Sequence, residues 1–160
     1  MLIAAHAGTG KTTLARKYPN KTIDFVCMPY KYTNCTNNEN EAHKADVSYE
    51  FNPLWPVNYT VELLNILNPD KIILIPPIFE VLHDVYFNEG IKYILCYPDR
   101  RLKDEYRKRY LQRGNTDRFI EIFINGWDLF LDKFENDKIG EHIVLKSGEY
   151  LSDVIDLDNI

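Results

Sequence analysis

Cysteine, glycine and long apolar runs are all scarce in this chain. Only Cys27, Cys35 and Cys96 occur in 160 residues. They form neither a CxxC pair nor a metal-ligand spacing, which excludes a disulfide scaffold and a zinc module. Sparse and odd in number, they fit reduced thiols, and a cytoplasmic location is expected. No apolar stretch approaches the roughly 18 residues of a membrane span, so no membrane partner is expected. Leu2-Ile3-Ala4-Ala5 runs straight into a glycine motif, so a leader peptide is not expected either. Basic residues are outnumbered by acidic ones, 19 against 24, for a net charge of −5. That balance argues against a general nucleic-acid coat. Repeats and linkers are absent from the sequence, and 45% hydrophobic residues suffice for a core. Residues 1–160 therefore read as one domain.

Periodicity and breakers give the order of elements. Residues 2–5 read as a strand, followed by a glycine turn and a helix over 11–18 that Pro19 stops. Residues 22–27 read as a second strand. Residues 30–53 are polar and rich in Asn, and read as a long functional loop or small subdomain. Asn58 is placed to cap a helix over 59–67. Ile72-Ile73-Leu74-Ile75, within a strand over 71–75, has no polar alternation and reads as buried on both faces. A helix over 78–88 ends at Gly90, and a fourth strand covers 91–97. Helices over 99–112 and 117–134 follow, the second with Gly126 inside it as a candidate bend. A strand over 142–146 and a short helix over 149–155 close the chain. Strands alternating with helices predict an α/β fold, with a five-stranded, mostly parallel sheet covered on both faces. Ligands in such sheets sit beyond the carboxyl ends of the strands.

Ala5-His6-Ala7-Gly8-Thr9-Gly10-Lys11-Thr12 lies at such an end. It matches G-x-x-x-x-G-K-[ST], with Ala5 in place of the first glycine. Gly8 and Gly10 let the backbone wrap so that successive N–H groups face one concavity. The amides of Gly8, Thr9, Gly10, Lys11, Thr12 and Thr13 are thus candidates to hold phosphates, aided by the following helix. Lys11 can neutralise the outer phosphates, and the Thr12 hydroxyl can hold Mg²⁺. His6, inside the loop, reads better as a side chain packed over the turn than as a ligand.

The pattern also narrows the class. Asp137-Lys138-Ile139-Gly140 matches a GTPase D-x-x-G, but by accident, near the end of the chain with no partner motif after it. The third strand ends in Pro76-Pro77 where a motor ATPase would be expected to place a carboxylate, which turns the reading toward phosphoryl transfer to a small acceptor. Residues 99–113 hold seven basic residues against three acidic ones, a net of +4 that leaves −9 for the rest of the chain. With Leu102 set at zero on a helical wheel, Tyr106 falls at about 40°, Arg109 at about −20° and Arg113 at about 20°. Both arginines thus share the apolar face, while Arg100 and Arg107 lie opposite on a face that solvent accounts for. An inward arginine requires an anion, either a protein carboxylate or a polyphosphate. Asp24, at or near the end of the second strand, is a candidate to orient or deprotonate an acceptor hydroxyl. The aromatic spacing of Phe119, Phe123, Trp127, Phe130 and Phe134 reads as core.

Together these residues carry a resemblance. Thr22-Ile23-Asp24 after the loop, Trp55-Pro56 with Tyr59, and Tyr97-Pro98…Glu105-Tyr106…Arg109-Tyr110…Arg113-Gly114-Asn115…Trp127-Asp128 resemble the small phosphate-loop nucleoside and nucleotide kinases of bacteriophages and prophages, distant relatives of the adenylate-kinase type. The resemblance implies a three-layer P-loop fold with a small helical lid over 99–115 and an acceptor-binding region over 28–60. It implies ATP and Mg²⁺ as cofactors, a nucleoside, nucleotide or similar small acceptor as partner, and Arg109 and Arg113 as lid arginines. Lys11, Asp24, Arg109 and Arg113 are then the catalytic set. Phe25-Val26-Cys27-Met28-Pro29 and Pro76-Pro77 depart from the pattern, being apolar where acceptor or Mg²⁺ contacts are expected. A nucleotide-binding regulatory module with a vestigial site, and a polynucleotide end kinase, stay as alternatives, and a homodimer is left open.

Overall fold

The computed structural model describes residues 1–35 and 48–157. Five parallel strands form one sheet in the order β2-β3-β1-β4-β5, with β1 (Leu2–Ala5) at the centre, β2 (Thr22–Asp24), β3 (Ile72–Ile75), β4 (Tyr93–Pro98) and β5 (Glu141–Leu145). This order differs from the 3-2-1-4-5-6 and 2-1-3-4-5 orders of dinucleotide- and flavin-binding sheets. Every residue of β1 and β3 is buried, as expected of strands covered on both faces. Register follows Leu2 opposite Ile73 and Tyr93, and Ala5 opposite Cys96.

The helices are divided unequally. Leu2 and Ala4 face a large core built with α3 (Val57–Ile66), α4 (Phe79–Glu89), α5 (Lys103–Gln112), α6 (Asp117–Asn125) and α7 (Trp127–Asn136). Ile3 and Ala5 face a smaller core closed by Leu14 of α1 (Lys11–Lys17) and Leu151 of α8 (Leu151–Val154). A 3-10 turn, Arg100–Leu102, leads into α5, whose Tyr106 and Tyr110 are 0% exposed in the larger core. Among the described residues no helix is long and apolar enough to cross a membrane.

Several boundaries differ from expectation for local reasons. β2 ends at Asp24, since its partner β3 stops before Pro76-Pro77 and only Phe25 N adds a last bond to Leu74 O (2.8 Å). A short helix α2 (Met28–Lys31) follows within the expected loop, and Tyr32 bridges Phe51. Residues 36–47 of the expected acceptor-binding region lie outside the described residues. Asn58 does not cap α3. The helix already runs through Val57, and the Asn58 side chain donates to Tyr30 O (2.8 Å). The expected helix over 117–134 is two, divided at Gly126, where a Cβ would lie 2.8 Å from both Ile122 O and the Phe130 ring.

At the amino ends of β4 and β5, Asp137 ties the turn that precedes β5. Its carboxylate accepts from Ile139 N (2.9 Å), Gly140 N (2.8 Å), Tyr93 Oη (3.0 Å) and His83 Nε2 (2.8 Å). Burial works against this carboxylate, yet the bonds from Gly140, His83, Ile139 and Tyr93 prevail and hold its pKa below the ordinary value. The D-x-x-G match is therefore a structural turn. Asp137→Ala, which strands a buried tyrosine hydroxyl and two amides, should lower stability in urea unfolding by about 2–4 kcal/mol. Asp137→Asn should lower it by less.

Candidate functional site

The loop after β1 curls beneath the carboxyl end of the sheet. Ala5 pairs with Cys96 as the last residue of β1, so an extended backbone suffices there and the missing glycine is not needed. Gly8 and Gly10 have φ of 82° and 95°, in the left-handed region that glycine adopts freely. Space makes the same demand: a Cβ on Gly8 would lie 2.9 Å from the Tyr110 ring, and one on Gly10 would lie 3.2 Å from Tyr150.

Every carbonyl oxygen from Ala5 to Gly10 accepts from a protein donor. Lys11 Nζ donates to Ala5 O (2.6 Å) and His6 O (3.2 Å). Thr9 Oγ1 also donates to His6 O (2.7 Å). Ala7 O receives His6 Nδ1 (2.9 Å) and Tyr110 Oη (3.1 Å), and Gly8 O receives Arg109 Nη1 (3.2 Å). Thr9 O receives Leu151 N and Gly10 O receives Leu14 N, each at 2.9 Å. A trans peptide sets its N–H opposite its C=O. Anchored carbonyls therefore turn the amides of Gly8, Gly10 and Lys11 the other way.

A cleft of about 440 Å³ opens on this loop, within the usual range for a small-molecule site. Gly8, Gly10, Lys11, Thr12 and Thr13 line it, together with Asp24, Arg109 and Arg113. Thr9 is not among the lining residues; it is buried, with its hydroxyl stapling the turn. Asp24 reaches the loop directly, its Oδ2 accepting from Thr12 Oγ1 at 2.6 Å. The two side chains put hard oxygen donors side by side, a set that suits Mg²⁺, which takes one or two protein oxygens and completes its shell with water and phosphate. Among the described residues no group of three or more His, Cys, Asp or Glu could hold a metal ion.

The two arginines differ. Arg109 is sandwiched between Tyr106 and Tyr150, 4.6 and 4.0 Å from their ring centres. Its Nη2 donates to Glu105 Oε1 (2.6 Å) and Glu149 O (3.0 Å). The protein carboxylate that an inward arginine calls for is thus Glu105. Arg113 Nε donates to Asn115 Oδ1 (2.7 Å). Arg100 is bound by Asp128, Asp132 and Glu135, and Arg101 by Asp99.

Some of the site escaped the sequence pattern. Tyr150, Arg16 and Gln112 line the cleft, as do Pro76 and Pro77. Phe119 and Phe123, expected as core, belong to it and also face the cleft. Tyr150 carried no signal, since it reaches Gly10 across the fold from a loop far along the chain.

No protein-family model matches the chain. No curated protein matches it. Among solved structures it is similar to an uncharacterized protein from Eubacterium ventriosum, at 13% identity over 92% of this chain and 89% of that one, with a TM-score of 0.42. A similarity at that level transfers neither fold nor role.

His6 lies packed beneath the loop, its ring edge-on to Tyr106, Phe123 and Trp127. Because Ala7 O accepts from Nδ1, Nε2 carries the lone pair, and it is buried without a partner. Burial lowers the His6 pKa to about 4, with the Ala7 bond opposing and the Lys11 charge assisting. An unfolded imidazole titrates at about 6.5, so protonation favours the unfolded chain. The contribution of neutral His6 is complete above the unfolded value and is lost as pH falls toward 4. Urea unfolding should register a loss of about 3 kcal/mol across that window. His6→Asn should flatten it.

Proposed function

We propose that the chain is an ATP-dependent phosphotransferase of the phosphate-loop type, acting on a nucleoside, nucleoside monophosphate or similar small acceptor. The observation that carries this reading is the loop's backbone orientation. Six consecutive carbonyls are engaged by the protein, which leaves N–H groups as the polar edge of the backbone toward the cleft. Two positive-φ glycines, a lysine and a threonine complete an anion cradle.

The chemistry follows from charge. Phosphoryl transfer is catalysed mainly by positioning and by stabilising charge on the transferring group. Loop amides hold the donor phosphates and Lys11 neutralises them. Arg113, beside the loop, faces the transferring group. Arg109 is bonded to Gly8 O and acts closer to the cradle itself. Thr12 and Asp24 are the residues that would hold Mg²⁺, which would neutralise charge on the phosphates. In this reading Asp24 also accepts a proton from an acceptor hydroxyl. Pro76 and Pro77 form an apolar wall on one side of the cleft. A cytoplasmic enzyme accords with the sparse cysteines.

A second reading is a nucleotide-binding regulatory module without transfer. It is favoured by the Thr12–Asp24 bond and by the full set of protein partners on Arg109, which engage the groups a kinase would use. Turnover separates the two. ATP consumption should rise with one member of a panel of nucleosides and monophosphates, and Lys11→Met should reduce it by about 100-fold or more. ATP binding with no acceptor-stimulated turnover, and no effect of Asp24→Asn, would establish the regulatory module instead.

A further inference from the structure

Glu105 lies on α5, is not itself among the residues that line the cleft, and gathers three donors. Its Oε1 accepts from Arg109 Nη2 (2.6 Å) and Gly148 N (3.0 Å), and its Oε2 accepts from Ser147 Oγ (2.7 Å). Two routes lead from this carboxylate to the glycine loop. Through Arg109, whose side chain is 9% exposed, it reaches Gly8 O. Through the segment between β5 and α8 it reaches Thr9 O, since that segment delivers Leu151 N to Thr9 and lays Tyr150 against Gly10. The same segment offers Glu149 O to Arg109, so the two routes are cross-tied.

We propose that Glu105 is a positioning residue that anchors the loop at Gly8 O and Thr9 O, and so holds the Gly10 amide in place for binding a polyphosphate. The proposal rests on the phosphate-loop reading above and goes beyond it by naming a residue outside the cleft that sets the cradle's shape. The physical reason is the cost of a buried, unpaired cation. Without a carboxylate, a guanidinium held between two tyrosine rings must move toward water. Gly8 O then loses its donor, and only the 3.4 Å bond from Thr9 N to His6 O still holds that peptide. Burial opposes the charge on Glu105, but the bonds from Gly148, Ser147 and Arg109 outweigh it and lower its pKa, so the carboxylate is ionised when the cradle is in use.

The test is calorimetric titration of the full chain with Mg²⁺ and inorganic tripolyphosphate, a probe with no base or acceptor. Glu105→Gln should weaken binding by about 10-fold or more. Acting through Arg109, it should add little on top of Arg109→Ala, so that the double variant binds much as Arg109→Ala does. General damage to the fold would instead give additive losses. Ser147→Ala, a milder change that removes one arm, should weaken binding by about 2–5-fold with an unchanged circular dichroism spectrum. Glu105→Gln or Ser147→Ala binding like the unaltered chain, or additive losses in the double variant, would overturn the positioning role alone. No binding by the unaltered chain would remove the phosphate-loop reading and this proposal with it.

Discussion

A peptide group presents an acceptor on one side and a donor on the other, and a loop can aim one only by satisfying the other. Between Ala5 and Gly10 the acceptor side is taken up by the protein, with donors drawn from Lys11, Thr9, His6, Tyr110, Arg109 and the start of α8. They come from the loop itself, from α1, from α5 and from the segment after β5. The tertiary fold, more than the glycines, therefore fixes the direction of the amides. The glycines permit the path, and distant side chains select it.

This arrangement also resolves the uneven charge of the sequence. The basic stretch over 99–113 is not a single cationic stripe. Arg100 closes a cluster with Asp128, Asp132 and Glu135 on α7, and Arg101 folds back on Asp99. Exposed pairs of this kind contribute little stability individually, but they neutralise Arg100 and Arg101 locally. Lys11, Arg16, Arg109 and Arg113 line the cleft together with the carboxylate of Asp24.

The layout was legible where local rules act alone. The all-apolar β3, Pro19, Gly90 and the glycine loop announced themselves by pattern. So did the wheel over 99–113, since Tyr106 and Tyr110 are buried and Arg109 is turned inward. Gly126 was visible as a bend, but the sequence did not tell whether the helix would curve or divide. That depended on Ile122 O and the Phe130 ring. The length of β2 was hidden because it depends on where its neighbour stops, and Asn58 was misjudged because its amide had a tertiary partner in Tyr30 O. The contacts of Asp24 with Thr12, of Glu105 with Ser147 and Gly148, and of Tyr150 with Gly10 join residues that no local period relates.

The seating of α5 has a mechanical consequence. Tyr106 and Tyr110 are sealed in the principal core. Tyr110 also bonds the loop. A hinged flap made from this helix would have to uncover both rings and release the loop at once. The arginine side of the cleft is thus an anvil continuous with the sheet, set against an opposite wall of half-buried Asp24 and paired prolines.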